Sequence, residues 1–490
     1  MPPSDPLLSR DPDPRVPWWL EALPVAALAL GLFQLAVFVT QADLWTRMYK
    51  WFWVWLPQEV GPTWVVAMVA VLPLLSWALA VRLGPARPWG VVATICVLFT
   101  FGQHGWSWVE GEGLDGMREH IARAGHMQFA ELAVEEPSMW RVASRYEELV
   151  QVGEIRRFAR SKPPGTLLFY MATERLARPL AVDHRPESRL AALHTFAAIT
   201  WPLLASLALF PLFGLGRRLT DDRTALLAVV LYTATPAATH IAMHLDKVLF
   251  PLVFTGIAWL AVEAVLAARA RTAWALGAAA GALAFVGLGL SFVLGFALPV
   301  AGAAALGAAW RADPSWRVRG VRLVRALVPA VLAGGLLFGL AWLVAGYDPL
   351  VRFQHARTYH EHYKGWDGTW RTTVHFGALD ALEWGLWAGL PVAALWLQRS
   401  WQAVREGAAG LWSGVTPTGG ALLLVMGWVV AFGHTKGETA RLWLPWLPVV
   451  CLLAAQQLRR QRAGPQLAAG LVLALQVALV WATKVVQDFR

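Results

Sequence analysis

The chain has 490 residues, 57% of them hydrophobic and only 15% charged, with a formal charge of +10. Its apolar residues fall in blocks of roughly 17 to 25, the length of a bilayer-crossing helix, which excludes a soluble globular domain and indicates a multi-pass membrane protein. No basic block or RNA-binding motif accompanies the positive charge, so it is assigned to membrane orientation and anionic lipid, and nucleic acid is excluded as a partner.

In chain order, residues 1–17 are polar and proline-rich and lack a basic segment leading into a short apolar core; they are expected to be a cytoplasmic tail. Spans are predicted at 18–41, 63–82, 89–108, 190–215, 223–243, 247–268, 273–291, 292–309, 323–345, 377–397, 411–433, 441–457 and 465–484, about thirteen crossings in an all-α polytopic bundle. Many of the 29 tryptophans sit near block ends, where an amphipathic ring anchors at headgroup level. Cys96 and Cys451 lie inside apolar blocks and support neither a disulfide framework nor a thiolate metal site. No internal repeat is visible.

Orientation follows from the arginines. Arg10/Arg15, Arg82/Arg87, Arg217/Arg218/Arg223, Arg269/Arg271, Arg311 through Arg325, Arg399/Arg405 and Arg459/Arg460/Arg462 alternate with arginine-poor turns. All these groups share one side only if the apolar stretch 165–173 does not span. That stretch follows Lys162-Pro163-Pro164, and the prolines are expected to fix its entry at the outer interface. The N-terminus is then cytoplasmic. Two long outer segments result, 109–189 and 346–376, and loops of that length usually work. In the first, Met117, Ile121, Ala124 and Leu132 recur at near-helical spacing among charges, as in a helix lying along the membrane surface.

Four outer sites carry ionisable groups. Glu110, Glu112 and Asp115 directly follow a span, and a carboxylate there can take a proton from an acceptor hydroxyl or simply be solvated. Lys162 suits a phosphate as a point charge, or snorkels to the interface. Asp246 and Lys247 occupy an almost loopless turn, where an ion pair or helix cap is the plainer reading. His434, Lys436, Glu438 and Arg441 stand at the mouth of a late span; arginine can grip phosphate oxygens with two parallel hydrogen bonds or satisfy helix ends. Lys162, Lys247, Lys364, Lys436 and Arg441 thus all map to the face that should be poor in cations, and a lipid phosphate is the economical partner. His355, His360 and His362 do not complete a tetrahedral metal set. Glu263 reads as a buried polar contact, and Asp380 and Glu383 as caps of the 377–397 helix.

The order and sidedness of these features resemble the GT-C class of integral-membrane glycosyltransferases, in particular bacterial enzymes similar to lipid A aminoarabinose transferase and protein O-mannosyltransferase. The resemblance spans roughly 89–457. It rests on the acidic start of the first outer loop (Asp115), a surface helix, Lys162-Pro163-Pro164, the basic turn GRRLTDDRTALLA, Asp246 in HLDKVLF, and TKGETARLWLPWLP. It implies a catalytic module at 89–457, two added helices within 18–88 and a last helix within 458–490. It further implies transfer of a sugar from a polyprenyl-phosphate donor to a lipid, glycan or protein acceptor on the outer face of the cytoplasmic membrane. Asp115, Glu112 or Glu110 would be the base and Asp246 would orient the acceptor or hold a divalent cation, the need for one being left open. Lys162, Arg441 and Lys436 would bind the donor phosphate, and His244, His355, His360 and Glu438 are further candidates for contact with substrate. The loop reads EGEGLDG where the class commonly has an adjacent acidic pair. A transporter or flippase of lipid-linked substrates is the principal rival, and a lipid-binding scaffold the third reading.

Overall fold

A computed structural model describes residues 23–41, 63–109, 113–123, 126–240, 245–364, 369–407, 414–431, 439–461 and 464–486; all regular structure among them is helical. Each predicted apolar block, where described, falls on one helix or on a run of shorter consecutive ones. Among the described residues six stretches are long and apolar enough to cross a membrane: Trp64–Arg82, Pro186–Leu219, Ala270–Leu290, Phe292–Ala312, Trp316–Ala345 and Pro465–Val486. Shorter apolar helices, Val25–Thr40, Phe250–Leu266 and Thr416–Ala431, accompany them. The architecture is that of a multi-pass helical membrane protein.

At its centre Asp222–Thr233 packs against Leu447–Arg459. Every residue from Thr224 to Thr233 is buried, and so is every residue from Leu447 to Ala455. A helix apolar all round belongs in such a place. Asp221 starts the first of the two by accepting hydrogen bonds from the backbone N–H groups of Arg223 and Thr224. At the periphery, Trp316–Ala345 has 30 residues, about 45 Å of helix, more than the hydrocarbon core needs. Its first turns carry Arg317, Arg319, Arg322 and Arg325, which keeps that end among headgroups. Leu327, Leu336 and Leu343 are exposed, as a lipid-facing surface requires. The other side meets Ala270–Leu290 through small residues: a Cβ on Gly277 or Gly281 would collide with the carbonyls of Ala326 and Ala330.

The predicted 377–397 span is instead two helices, Trp370–Ala388 and Leu390–Arg405, divided at Gly389. Gly389 has φ +82°, and a Cβ there would run into the Gln476 side chain. A break inside an apolar bundle strands backbone groups that no water can reach. Two buried amides take them up. Gln34 accepts from Leu390 N–H (2.8 Å) and donates to Leu386 O (2.8 Å), while Gln476 donates to Ala388 O (3.2 Å). Because Gln34 lies on Leu23–Thr40, that helix closes this break and so contributes directly to the integrity of the bundle.

Gln34→Leu is therefore expected to destabilise the protein by about 1–3 kcal/mol, because it leaves the Leu390 N–H without a partner and leaves Leu386 O with only the longer bond from Gly389 N–H (3.3 Å). Thermal unfolding in detergent would measure it. Leu32→Ala, on the exposed side of the same helix, should change the midpoint far less.

Candidate functional site

Lys162-Pro163-Pro164 works as a start signal. Lys162 is extended (φ −116°, ψ 155°), as the residue before a proline prefers, Pro163 is the N-cap, and Pro164 opens the helix Pro164–Ala177. Fourteen residues, about 21 Å, are too few to cross a bilayer. The helix start is pinned where Ala270–Leu290 ends. Thr166 Oγ1 donates to Leu290 O (2.6 Å), and a Cβ on Gly165 would collide with the Gly289 carbonyl. At its far end Glu174, 2% exposed, is held by Arg178 (2.8 Å) and by Arg189 of Pro186–Ser206 (2.8 Å).

Lys162 is consequently buried, with Nζ 5.0 Å from the centre of the Phe158 ring. Arg441, on the short helix Thr439–Leu442, sets its guanidinium 5.5 Å from the same centre. The two distances to one centroid cap the separation of the cations at their sum. Arg441 also donates to Nε2 of His126 (3.1 Å), a buried imidazole that packs on Phe158 and Phe129. That bond makes Nε2 the acceptor, so the ring proton belongs on Nδ1. Residues some 280 positions apart in sequence thus present two positive charges around one aromatic ring, a geometry suited to phosphate oxygens.

The other predicted residues are placed as follows. Asp115 lies in the first turn of Gly113–Arg123, where a carboxylate is favourable, but its side chain is 87% exposed and paired with Arg118 (3.0 Å). Gly113, at φ +58°, turns the chain into that helix beneath the Trp108 indole. Nothing among the described residues joins Asp115 to Lys162 or Arg441 by a hydrogen bond or ion pair. Met117 and Ile121 are buried and Leu132 packs on the core, as the amphipathic reading expected. His355 bonds through Nδ1 to Glu147 (2.8 Å), which also pairs with buried Arg352 (3.1 Å). This ties Pro349–Lys364 to the surface helix Met139–Gln151. Glu110, Glu112, His244, His434, Lys436 and Glu438, with the side chains of Asp246, His360, His362 and Lys364, lie outside the described residues. Among the described residues no three His, Cys, Asp or Glu side chains converge as a metal site.

Two readings change. Asp380 and Glu383 are not helix caps: the helix begins at Trp370 under Thr369, whose hydroxyl accepts from Thr372 N–H, and both carboxyls are buried within it. Their helix packs against Thr439–Leu442, and Trp384 lies 6.2 Å from Trp443. Lys247 is no exposed outer cation either. It is 2% exposed and donates to Thr239 O (2.9 Å), near His240, which donates from Nε2 to Val480 O (2.6 Å). Lys484 is close enough to act electrostatically on both. Glu263 is not the buried contact expected: it is only half-buried and is gripped by the exposed Arg218 (2.7 and 2.9 Å).

Sequence reasoning missed His126, Phe158 and the burial of Asp380. Phe158 had a signal, since it stands four residues before Lys162. His126 had none, because its partner is distant in sequence. No protein-family model matches the chain, and no curated protein matches it.

Glu174 yields a pH prediction. Burial alone would raise its pKa, but hydrogen bonds from Arg178 and Arg189 outweigh that and hold it below the usual 4.5. A depressed folded-state pKa gives stability that is present above 4.5 and lost as pH falls through the folded value. Glu174→Gln should thus lower stability at neutral pH by about 1–3 kcal/mol. Unfolding curves of the two proteins should converge as the pH is taken below 4.5.

Proposed function

We propose that this protein is a membrane glycosyltransferase of the GT-C type, moving a sugar from a polyprenyl-phosphate donor to a lipid, glycan or protein acceptor. Its site would face the outer side of the cytoplasmic membrane, with the N-terminus in the cytoplasm. The observation that carries the reading is the meeting of Lys162 and Arg441 on the Phe158 ring. In the reaction a base takes the proton of an acceptor hydroxyl, its oxygen bonds to the anomeric carbon, and the bond from that carbon to the phosphate oxygen breaks. The lipid phosphate then leaves with an added negative charge. Fixed cations around it stabilise the transition state more than the ground state, which is where stabilisation raises rate. Asp115, open to solvent, is the proposed base; Glu112 and buried Asp380 are next in order. Lys436 would add to the phosphate site, and Asp246 would orient the acceptor.

Transport is the second reading. It is favoured by Asp380, Lys247 and His240, which are buried beside interrupted helices in the way carriers place ionisable groups.

With a labelled polyprenyl-phosphate sugar in membranes, Asp115→Asn is expected to abolish transfer while leaving the protein inserted, since an exposed ion pair contributes little to stability. Arg441→Ala should slow transfer by about 100-fold or more, and Arg441→Lys should recover only a fraction of that loss, lacking the two-pronged grip. Full activity in Asp115→Asn rejects that residue as the base. Movement of substrate across sealed vesicles with no new glycosidic bond would establish transport instead.

A further inference from the structure

The far end of the bundle from Lys162 and Arg441 holds a cavity. It encloses about 120 Å³ between Thr63–Arg82, Asp222–Thr233, Leu447–Arg459 and Pro465–Val486. Trp77, Ala80 and Leu227 give it apolar walls, and Gln466 and two guanidiniums, Arg223 and Arg459, line its mouth. No carboxylate lines it. Arg459 Nε is buried with no acceptor among the described residues, and Arg223 makes no side-chain ion pair among them. A guanidinium nitrogen shut away from water without a partner is costly, and a bound anion would remove that cost.

We propose that this cavity binds the headgroup of an anionic phospholipid, its phosphodiester held by Arg223 and Arg459 and its glycerol end resting on Trp77. Three observations select a lipid. The cavity opens between apolar helices, so acyl chains leave it along surface that already faces lipid: Val81, at its edge, is exposed, and so is Leu467. The two arginines belong to the groups that mark the cytoplasmic side by charge bias, the leaflet in which anionic lipid attracts basic pockets between helices. Finally, the site sits one full length of Leu447–Arg459 away from Arg441, about 20 Å, so its occupant is not the donor proposed above. The inference stands whatever reaction that other end performs.

The test uses the full chain in nanodiscs of phosphatidylcholine titrated with phosphatidylglycerol, read as the rise in unfolding temperature. The wild type should gain stability with phosphatidylglycerol. Arg223→Gln/Arg459→Gln should unfold like wild type in pure phosphatidylcholine and need roughly tenfold more phosphatidylglycerol for the same rise. Arg223→Lys/Arg459→Lys should keep most of the effect. An undiminished response in the glutamine variant overturns the proposal, as does equal stabilisation by inorganic phosphate, which would mark an anion site without lipid recognition. Should the glutamine variant fail to fold, wild type labelled with a diazirine phosphatidylglycerol decides. Label in peptides covering 77–81 or 459–467 supports the site, and label confined to other peptides overturns it.

Discussion

The arrangement at the proposed active site depends on one junction, where Pro164–Ala177 begins against the end of Ala270–Leu290. Helix ends expose carbonyls without partners, and in apolar surroundings these need a donor. Thr166 supplies one to Leu290, and Gly165 lets the backbones approach closely enough for it to reach. Once that contact is made, Pro163 and Pro164 fix the direction of the preceding chain, and Lys162 has little freedom in where it goes. It lies over Phe158, the ring that also receives Arg441. Glu174 secures the other end of the same short helix to Pro186–Ser206. A buried ammonium is costly to hold in a mobile segment, so this double anchoring is what makes the position of Lys162 tenable.

The helical layout was legible because block length and polarity are local properties. The blocks predicted at 63–82, 89–108 and 273–291 match Thr63–Arg82, Pro88–Val109 and Ala270–Leu290 within a few residues. The break at Gly389 was missed although Gly389 and Pro391 stand together in the block, because the groups that make the break tolerable, Gln34 and Gln476, come from other helices. Asp380 and Glu383 were misread for a related reason: placing the helix start at 377 turned mid-helix residues into caps. Lys162 and Arg441 were recognisable from the sequence because they fall outside the alternating arginine groups. That Lys162 and Arg441 share a ring, while Asp115 points to solvent beside Arg118, depends on which helices touch, and sequence order carries no such information.

The interrupted helices bear on the choice between transferase and transporter. Broken helices with buried ionisable groups serve either one, because both need backbone and charge inside the bundle. They differ in whether a route continues to the opposite side. Between the Lys162–Arg441 end and the Arg223–Arg459 cavity stands the packed pair Asp222–Thr233 and Leu447–Arg459. Leu226 to Leu231 and Val449 to Leu453 are buried along it, and all but Cys451 are aliphatic. A sugar phosphate passing there would have to force these close-packed helices apart and shed its water with no polar group to replace it. A reaction confined to one face would ask for no such separation, whereas a carrier would need a route that avoids this helix pair or parts it.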